Sequence, residues 1–403
     1  MSSTASSAAS STASSTARCP VCEGADVRVF LERDRVPVHQ NLRYDSLEAA
    51  MAAPAGRLRL GVCTACGFVY NTAFDPGLLS YGAQYENDQG HSGAFQAHLD
   101  ALVERVLGAD GVRGGVVVEV GCGQGQFLRR LVADPTAGVI GHGFDPSYRG
   151  EDQPPSQPPR LYFHREMYGP DSARVTADVL LCRHVIEHIP TPAPFLDSVA
   201  SALAGSGYPR VYFETPDVSW IFEHKVYFDV FYEHCSYFSP GSIRAAFGRA
   251  GFDVTAVDRI FGGQYLWLEA RRGTDGANRS ALEPGELPAM ALAFGDAEAR
   301  WRSSAAAALR DMAGPVAVWG AGAKGATYAS LLDPDHQHID CIVDINPGKQ
   351  GAFLPGSGHP VLAPEALIGR GVRTVVLMNP NYRDEVAASL AALLPNPPTL
   401  IDA

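Results

Sequence analysis

Three clusters of residues in this 403-residue chain have the types and spacing to do chemistry. The first is a pair of knuckles, Cys19-Pro-Val-Cys22 and Cys63-Thr-Ala-Cys66-Gly67. Two CxxC knuckles can present four thiolates tetrahedrally to Zn²⁺, a closed set that holds a small module together. A redox role would need one CxxC in a strand–helix–strand setting, and His39, between the knuckles, finds no vacancy in a site already filled by Cys19, Cys22, Cys63 and Cys66. The second cluster is FDVFYEHCSYFSP from Phe228, dense in groups that are costly to bury unless they face a pocket. Tyr232, Glu233, His234 and Tyr237 there could supply a base, its orienting partner and hydroxyl donors, or could simply be an aromatic packing segment. The third is Arg183-His184-Val-Ile-Glu-His188-Ile-Pro190. As a string, His184 to His188 matches the H-x-x-E-H of inverted zinc peptidases, which needs a helix to put both histidines on one face. Here the string follows a strand, contains two β-branched residues and stops at a proline, so a loop at a strand end beside a ligand is expected instead.

Two glycine-rich turns must position ligands for these groups. Val116 to Arg130, VVVEVGCGQGQFLRR, reads as a buried parallel strand running into Gly121, Gly123 and Gly125 and then an amphipathic helix. Such a turn lets a ligand approach the backbone and the free N–H groups of the helix start. Glu119 closes the strand, and about twenty residues on Asp145 ends a second strand, where an acid can bind ribose hydroxyls. The pattern E-x-G-x-G-x-G resembles motif I of the class I S-adenosylmethionine (SAM) methyltransferases. Tyr85 and Asn87, in the polar run before the helix Phe95 to Leu107, and His184 are further candidates to bind that cofactor. The second turn, Val316 to Gly325, satisfies G-x-G-x-x-G through Gly320, Gly322 and Gly325, with Asp344 at the distance of a ribose-binding acid. By itself this unit could bind NAD. Two of the chain's three lysines, Lys324 and Lys349, fall in it beside Asn346, which suggests a diphosphate ligand.

The elements around these turns follow from pattern and composition. Strands are expected at Leu161–His164, Ala177–Cys182 and Val211–Pro216, then a hairpin ending at Gln264–Glu269, a helical region over Ala289–Met312, and a surface loop at Gln153–Pro159. At 46% hydrophobic and 19% charged, the chain suits a water-soluble α/β protein of two or three domains. A formal charge of −12 argues against nucleic-acid polymers and anionic membranes as partners. No apolar run reaches membrane-spanning length, and the Ser/Ala/Thr tract at 2–17 lacks the features of a signal peptide, so a disordered tail and a cytoplasmic protein are expected.

Taken in order, the paired knuckles, motif I and the GAGAKG unit resemble the sugar C-methyltransferases that act on nucleotide-linked ketodeoxysugars in antibiotic biosynthesis. After the tail (1–17), the resemblance implies a zinc-binding module (18–80), a SAM domain (81–270) and a second Rossmann-like domain (271–403) that helps bind the nucleotide sugar, for which Lys324, Gly325, Asp344, Asn346 and Lys349 are the candidate residues. It assigns Cys19, Cys22, Cys63 and Cys66 to structural zinc, Gly121, Gly123 and Asp145 to SAM, and Glu233-His234 with His188 to catalysis. One departure stands out: the family often has Tyr two places before that Glu, where this chain has Phe231, with Tyr232 directly before Glu233. The chemistry implied is proton removal beside a ketone by His234, oriented by Glu233, with His188 or Tyr232 holding the enolate. The rival readings are an O- or N-methyltransferase, a nicotinamide-dependent oxidoreductase working through the second unit, and a zinc module without catalysis.

Overall fold

The computed structural model describes residues 18–79, 86, 89–153, 160–273 and 282–403. The 2–17 tail, Tyr85, Asn87 and residues 154–159 of the Pro-rich stretch lie outside the described residues.

The N-terminal module is built on an antiparallel pair, β1 (Val27–Pro37) and β2 (Ala55–Cys63), joined through the short helix α1 (Leu47–Met51), whose start is capped by the Ser46 side chain. A third strand, β3 (Val69–Asn71), pairs with β2.

The central domain begins with α2 (Gly93–Leu107). Its buried residues Phe95, Leu99, Leu102 and Val106 recur at helical spacing, and Ser92 caps it by accepting from Phe95 N–H. Then come β4 (Val116–Val120), α3 (Gln126–Ala133), β5 (Ile140–Phe144), β6 (Leu161–His164), β7 (Val179–Arg183), α4 (Pro192–Ala202), β8 (Arg210–Pro216), α5 (Val218–Glu223), β9 (Ser236–Tyr237), α6 (Pro240–Arg249), β10 (Phe252–Ile260) and β11 (Tyr265–Arg272). Seven of the strands form one sheet in the order β10-β11-β8-β7-β4-β5-β6, parallel from β6 to β8 and closed by the antiparallel hairpin. Val117 and Leu181 face a core with Leu99 and Leu128, whereas Val118 and Leu180 face one with Leu196 and Phe247. That period-two split covers both faces with helices, which is why β4 reads as an unbroken apolar run. β9 leaves this domain altogether and pairs with β3, so the first module's sheet borrows a strand from residues expected to be purely central.

A 25-residue helix, α7 (Leu287–Asp311), leads into the last domain. There β12 (Val316–Trp319), α8 (Ala323–Leu332), β13 (Ile339–Val343), β14 (Val361–Leu362), β15 (Thr374–Leu377), α9 (Arg383–Leu393) and β16 (Thr399–Asp402) make an all-parallel sheet of order β14-β13-β12-β15-β16. Both parallel sheets reverse their winding at the strand that feeds a glycine turn, β4 in one and β12 in the other. Crevices open at such points.

Candidate functional site

The four knuckle cysteines converge, their sulfurs all within 4.8 Å of one another. Cys19 Sγ lies 3.6 Å from Cys66 Sγ and Cys22 Sγ 3.5 Å from Cys63 Sγ. These separations are far too long for disulfides and match the roughly 3.8 Å edge of a tetrahedron with about 2.3 Å metal–sulfur bonds. His39 is elsewhere: its Nδ1 is 2.9 Å from Glu233 Oε1.

At the end of β4, Gly121, Gly123 and Gly125 all have positive φ, at 66°, 54° and 78°. A Cβ on Gly121 would meet Val185 at 2.3 Å, and one on Gly125 would meet Phe163 at 2.4 Å, so side chains are barred there. A Cβ on Gly123 would meet nothing within 4 Å, which leaves that point of the turn open to a ligand. The N-cap of α3 is Gly125, which offers no side-chain cap, and Glu119 accepts from the Leu128 backbone N–H in the first turn of that helix. Asp145 accepts from Gly123 N (2.8 Å) through one oxygen and from Ser147 N (2.7 Å) through the other. The second glycine turn repeats this wiring: Asp344 accepts from Ala321 N at 2.7 Å and from Asn346 N at 2.8 Å. Each acid therefore shapes its own glycine loop, with carboxylate lone pairs left over for a ribose. Glu119 is buried beneath its loop, where burial pushes its carboxyl up to about 7. The turn thus fits SAM, with Gly121, Gly123, Gly125 and Asp145 as the residues that would hold it and Glu119 as support from behind.

A cleft of about 280 Å³ runs between the central and C-terminal domains. It brings together His184, His188, Glu233 and His234 from one side with Lys324, Gly325, Asp344, Asn346 and Lys349 from the other. The H-x-x-E-H string lies on a strand-end loop and a single 3-10 turn, with His184 at a φ of 53°, so its histidines do not share a helix face. His184 Nδ1 is instead 3.3 Å from Glu187 Oε1, and Thr215 donates to the other oxygen. Glu214 pairs with Arg183 Nε at 2.6 Å and His98 Nε2 at 2.7 Å. Despite burial, Glu214 and Glu187 raise the His184 imidazole to about 9. Burial would raise Glu187, but His184, His234 and His188 hold it down to about 2.

The catalytic candidates are arranged differently from their order in sequence. Glu233 does not orient His234: its carboxylate, 1% exposed, is clamped by His39 Nδ1 and by Gln40 N, both at 2.9 Å. The Glu233 backbone carbonyl accepts from His188 Nδ1 at 3.0 Å, which turns His188 Nε2 into an acceptor. His234 stands edge-on to His188 at 4.8 Å, and burial, then the neighbouring His188, hold its pKa well below 6.5. Tyr232 is not at the cleft; its hydroxyl accepts from Asp75 N (2.8 Å) and donates to Asp75 O (3.2 Å). It cannot hold an enolate there.

The lysines also differ from expectation. Lys324 pairs with Asp229 at 3.0 Å and donates to Gln264 at 3.0 Å, so a carboxylate already neutralises its charge. Lys349 reaches Asn41 Oδ1 at 3.3 Å and Ala321 O at 3.2 Å. The sequence reading missed Asn41, Asp229, Tyr265 and Tyr382 as cleft residues. Asn41 had a signal in the polar His-Gln-Asn run between the knuckles; Tyr265 had none, because it opens a strand that reads as ordinary hairpin.

Comparison with known proteins places these domains. Residues 93–257 match the family model described as a methyltransferase domain, and residues 293–401 match the one described as a C-methyltransferase C-terminal domain. The Gly320–Gly325 unit therefore belongs to a methyltransferase domain rather than to a nicotinamide enzyme. C-methyltransferase NovU of Streptomyces niveus is 26% identical over 403 residues, covering 94% of this chain and 93% of NovU. Two solved structures are also similar. The 1,6-didemethyltoxoflavin-N1-methyltransferase of Burkholderia thailandensis is 17% identical, covering 45% of this chain and 79% of that one, with a TM-score of 0.34. Magnesium protoporphyrin IX methyltransferase of Synechocystis is 19% identical, covering 45% and 84%, with a TM-score of 0.34. With both domain matches in order and a C-methyltransferase aligned along nearly its whole length, the chain is a SAM-dependent methyltransferase, similar from its N-terminal module to its last domain to a C-methyltransferase.

Proposed function

We propose that this enzyme methylates a ring carbon beside the ketone of a nucleotide-linked ketodeoxysugar in natural-product biosynthesis. The observation that carries the reading is the shared cleft: His188 and His234 of the SAM domain and the glycine turn of the C-terminal domain open into one cavity. A sugar nucleotide is the kind of ligand that spans both. Its nucleotide end suits the Gly320–Gly325 turn and the uncapped start of α8, with Lys324, Gly325, Asn346 and Lys349 around it and Asp344 shaping the loop. NovU, itself named a C-methyltransferase, supports carbon as the acceptor. The four-cysteine cluster supports structural zinc in the N-terminal module.

A ring C–H beside a ketone becomes a nucleophile only after a base takes its proton. His234 is neutral at physiological pH, so it can accept that proton, and the resulting imidazolium lies close to the Glu187 carboxylate. His188, with Nε2 facing the same group, is the second base candidate. SAM, when bound, supplies an electrophilic methyl group to the carbanion-like carbon. The test is to incubate the enzyme with methyl-labelled SAM and a panel of nucleoside-diphosphate ketodeoxysugars and to locate the label by NMR. A new carbon–carbon bond is expected, and His234→Asn should slow it by about 10²- to 10⁴-fold while SAM still binds. Label on oxygen or nitrogen would end the carbon proposal, and a fully active His234→Asn would pass the base role to His188.

A further inference from the structure

Removing a proton beside a ketone sends an electron pair onto the carbonyl oxygen, and a donor aimed at that oxygen is worth several orders of magnitude in rate. The segment that carries His234 offers no such hydroxyl. Phe231, which lines the cleft with its ring 4.2 Å from His234, has none to give. Tyr232 spends its hydroxyl on Asp75. Tyr237 spends its own on the Phe231 backbone, donating to O and accepting from N, each at 3.0 Å. Across the cleft, the Tyr382 hydroxyl donates to Gln89 Oε1 at 3.2 Å.

One phenol remains. Tyr265 opens β11 opposite Pro216 and lines the cleft together with His188 and His234. Its ring is fixed from two sides, edge-on to His184 at 4.7 Å and stacked on Phe261 at 5.1 Å. Among the described residues its hydroxyl makes no hydrogen bond, and it is not sealed away in the core. We propose that Tyr265 is the catalytic hydroxyl of this enzyme, donating to the carbonyl oxygen of the substrate as the enolate forms; this rests on the carbon-methylation reading above. Burial, then Tyr382 and the acids Glu214, Asp229 and Glu187, keep the phenol protonated and therefore a donor.

The step balances without a further reactant. The ring proton goes to the His234 imidazole, the C–H pair becomes the C=C bond, and the carbonyl π pair moves to the oxygen that Tyr265 holds. When the new carbon–carbon bond forms, the carbonyl is restored, the methyl–sulfur bond breaks with its electron pair left on sulfur, and the imidazolium proton returns to solvent.

The experiment uses the full chain in deuterium oxide with S-adenosylhomocysteine, so that proton exchange is read without methyl transfer, and separately with SAM. The probes are the nucleoside-diphosphate ketodeoxysugars of the panel. Tyr265→Phe should lower kcat for both exchange and methylation by about 10²- to 10³-fold with KM nearly unchanged, the pattern of an interaction made only as charge develops. Tyr265→His, which returns an N–H donor to the site, should recover part of the loss, and SAM affinity by calorimetry reports that each variant is folded. Exchange at the wild-type rate in Tyr265→Phe, or a rise in KM with kcat unchanged, overturns the assignment. If the wild type methylates oxygen or nitrogen, or exchanges no carbon-bound proton, the carbon-methylation reading falls first and this inference with it. Wild-type exchange with an unaffected Tyr265→Phe overturns the inference alone.

Discussion

His184 illustrates how strongly a single residue here is determined by its neighbours. It holds a left-handed backbone conformation, uncommon outside glycine, in return for two carboxylates, Glu187 and Glu214. Its folded-state pKa, near 9, lies above the unfolded value of 6.5. The charged imidazole therefore stabilises the fold fully below pH 6.5, and that contribution fades as pH rises towards 9. Its size is on the order of 3 kcal/mol. Urea unfolding at pH 6.5 and 9.5 should show the wild type losing stability that His184→Gln never had; parallel losses in both proteins would refute the charged state. At this scale the sequence was partly legible. The dense segment from Phe228 singled out His234, the family resemblance singled out His188, and both reach the cleft. The resemblance paired Glu233 with His234, yet consecutive side chains diverge, and Glu233 turns to His39 instead. Nothing local signals a partner in another module, so the roles of His39, Tyr232 and Lys324 could only be read in three dimensions.

The elements were legible wherever burial imposes a period. β4, β6, β8 and α2 fall within a residue or two of their expected bounds because an apolar run or stripe leaves little choice. β9 was not, since two residues carry no period and its partner β3 lies far back in the chain. α7 shows the same limit in another form. Its helicity was expected, but not what it touches: Phe294 stacks on Tyr227 at 4.3 Å, and Glu298 sits 3.5 Å from the buried Arg33 of β1. The contact is tightest at Gly295, where a Cβ would fall 1.7 Å from the Phe30 carbonyl oxygen. Helix and strand backbones touch there, so Gly295→Ala must push α7 off β1, although alanine is the better helix former. The expected cost is about 1 to 3 kcal/mol, as for other overpacked sites, read as a lower urea midpoint. A midpoint that stays the same or rises would mean that α7 docks more loosely than this contact implies.

For the whole molecule, the question is why a four-cysteine module should be attached to a methyltransferase. Its contacts converge on the segment carrying His234. Arg33, 5% exposed, donates to Tyr227 O at 2.7 Å and Val230 O at 3.0 Å. Asp75 takes the Tyr232 hydroxyl, His39 and Gln40 take the Glu233 carboxylate, Asn71 N donates to Cys235 O at 2.9 Å, and β3 pairs with β9. From Tyr227 to Tyr237 the segment has only one short helical turn and a two-residue strand of its own, so most of its shape comes from the module. The module in turn buries its cysteines and Phe68 beside Phe238 and the SAM-domain core, with no sheet of its own beyond three strands. If zinc holds the knuckles, metal-binding energy is folding energy for this module, and its loss should free the segment before it reaches the glycine turn at β4. Chelating the metal should therefore deprotect amides 227–237 in hydrogen exchange and cut methyl transfer by about 10²-fold or more, the penalty for catalytic groups that drift by an ångström. SAM affinity, if set at Gly121 to Gly125 and Asp145 as proposed, should fall far less, and restoring Zn²⁺ should bring back protection and turnover together. Metal-free protein with native protection at 227–237 and full turnover would show that the module grips a segment that needs no holding.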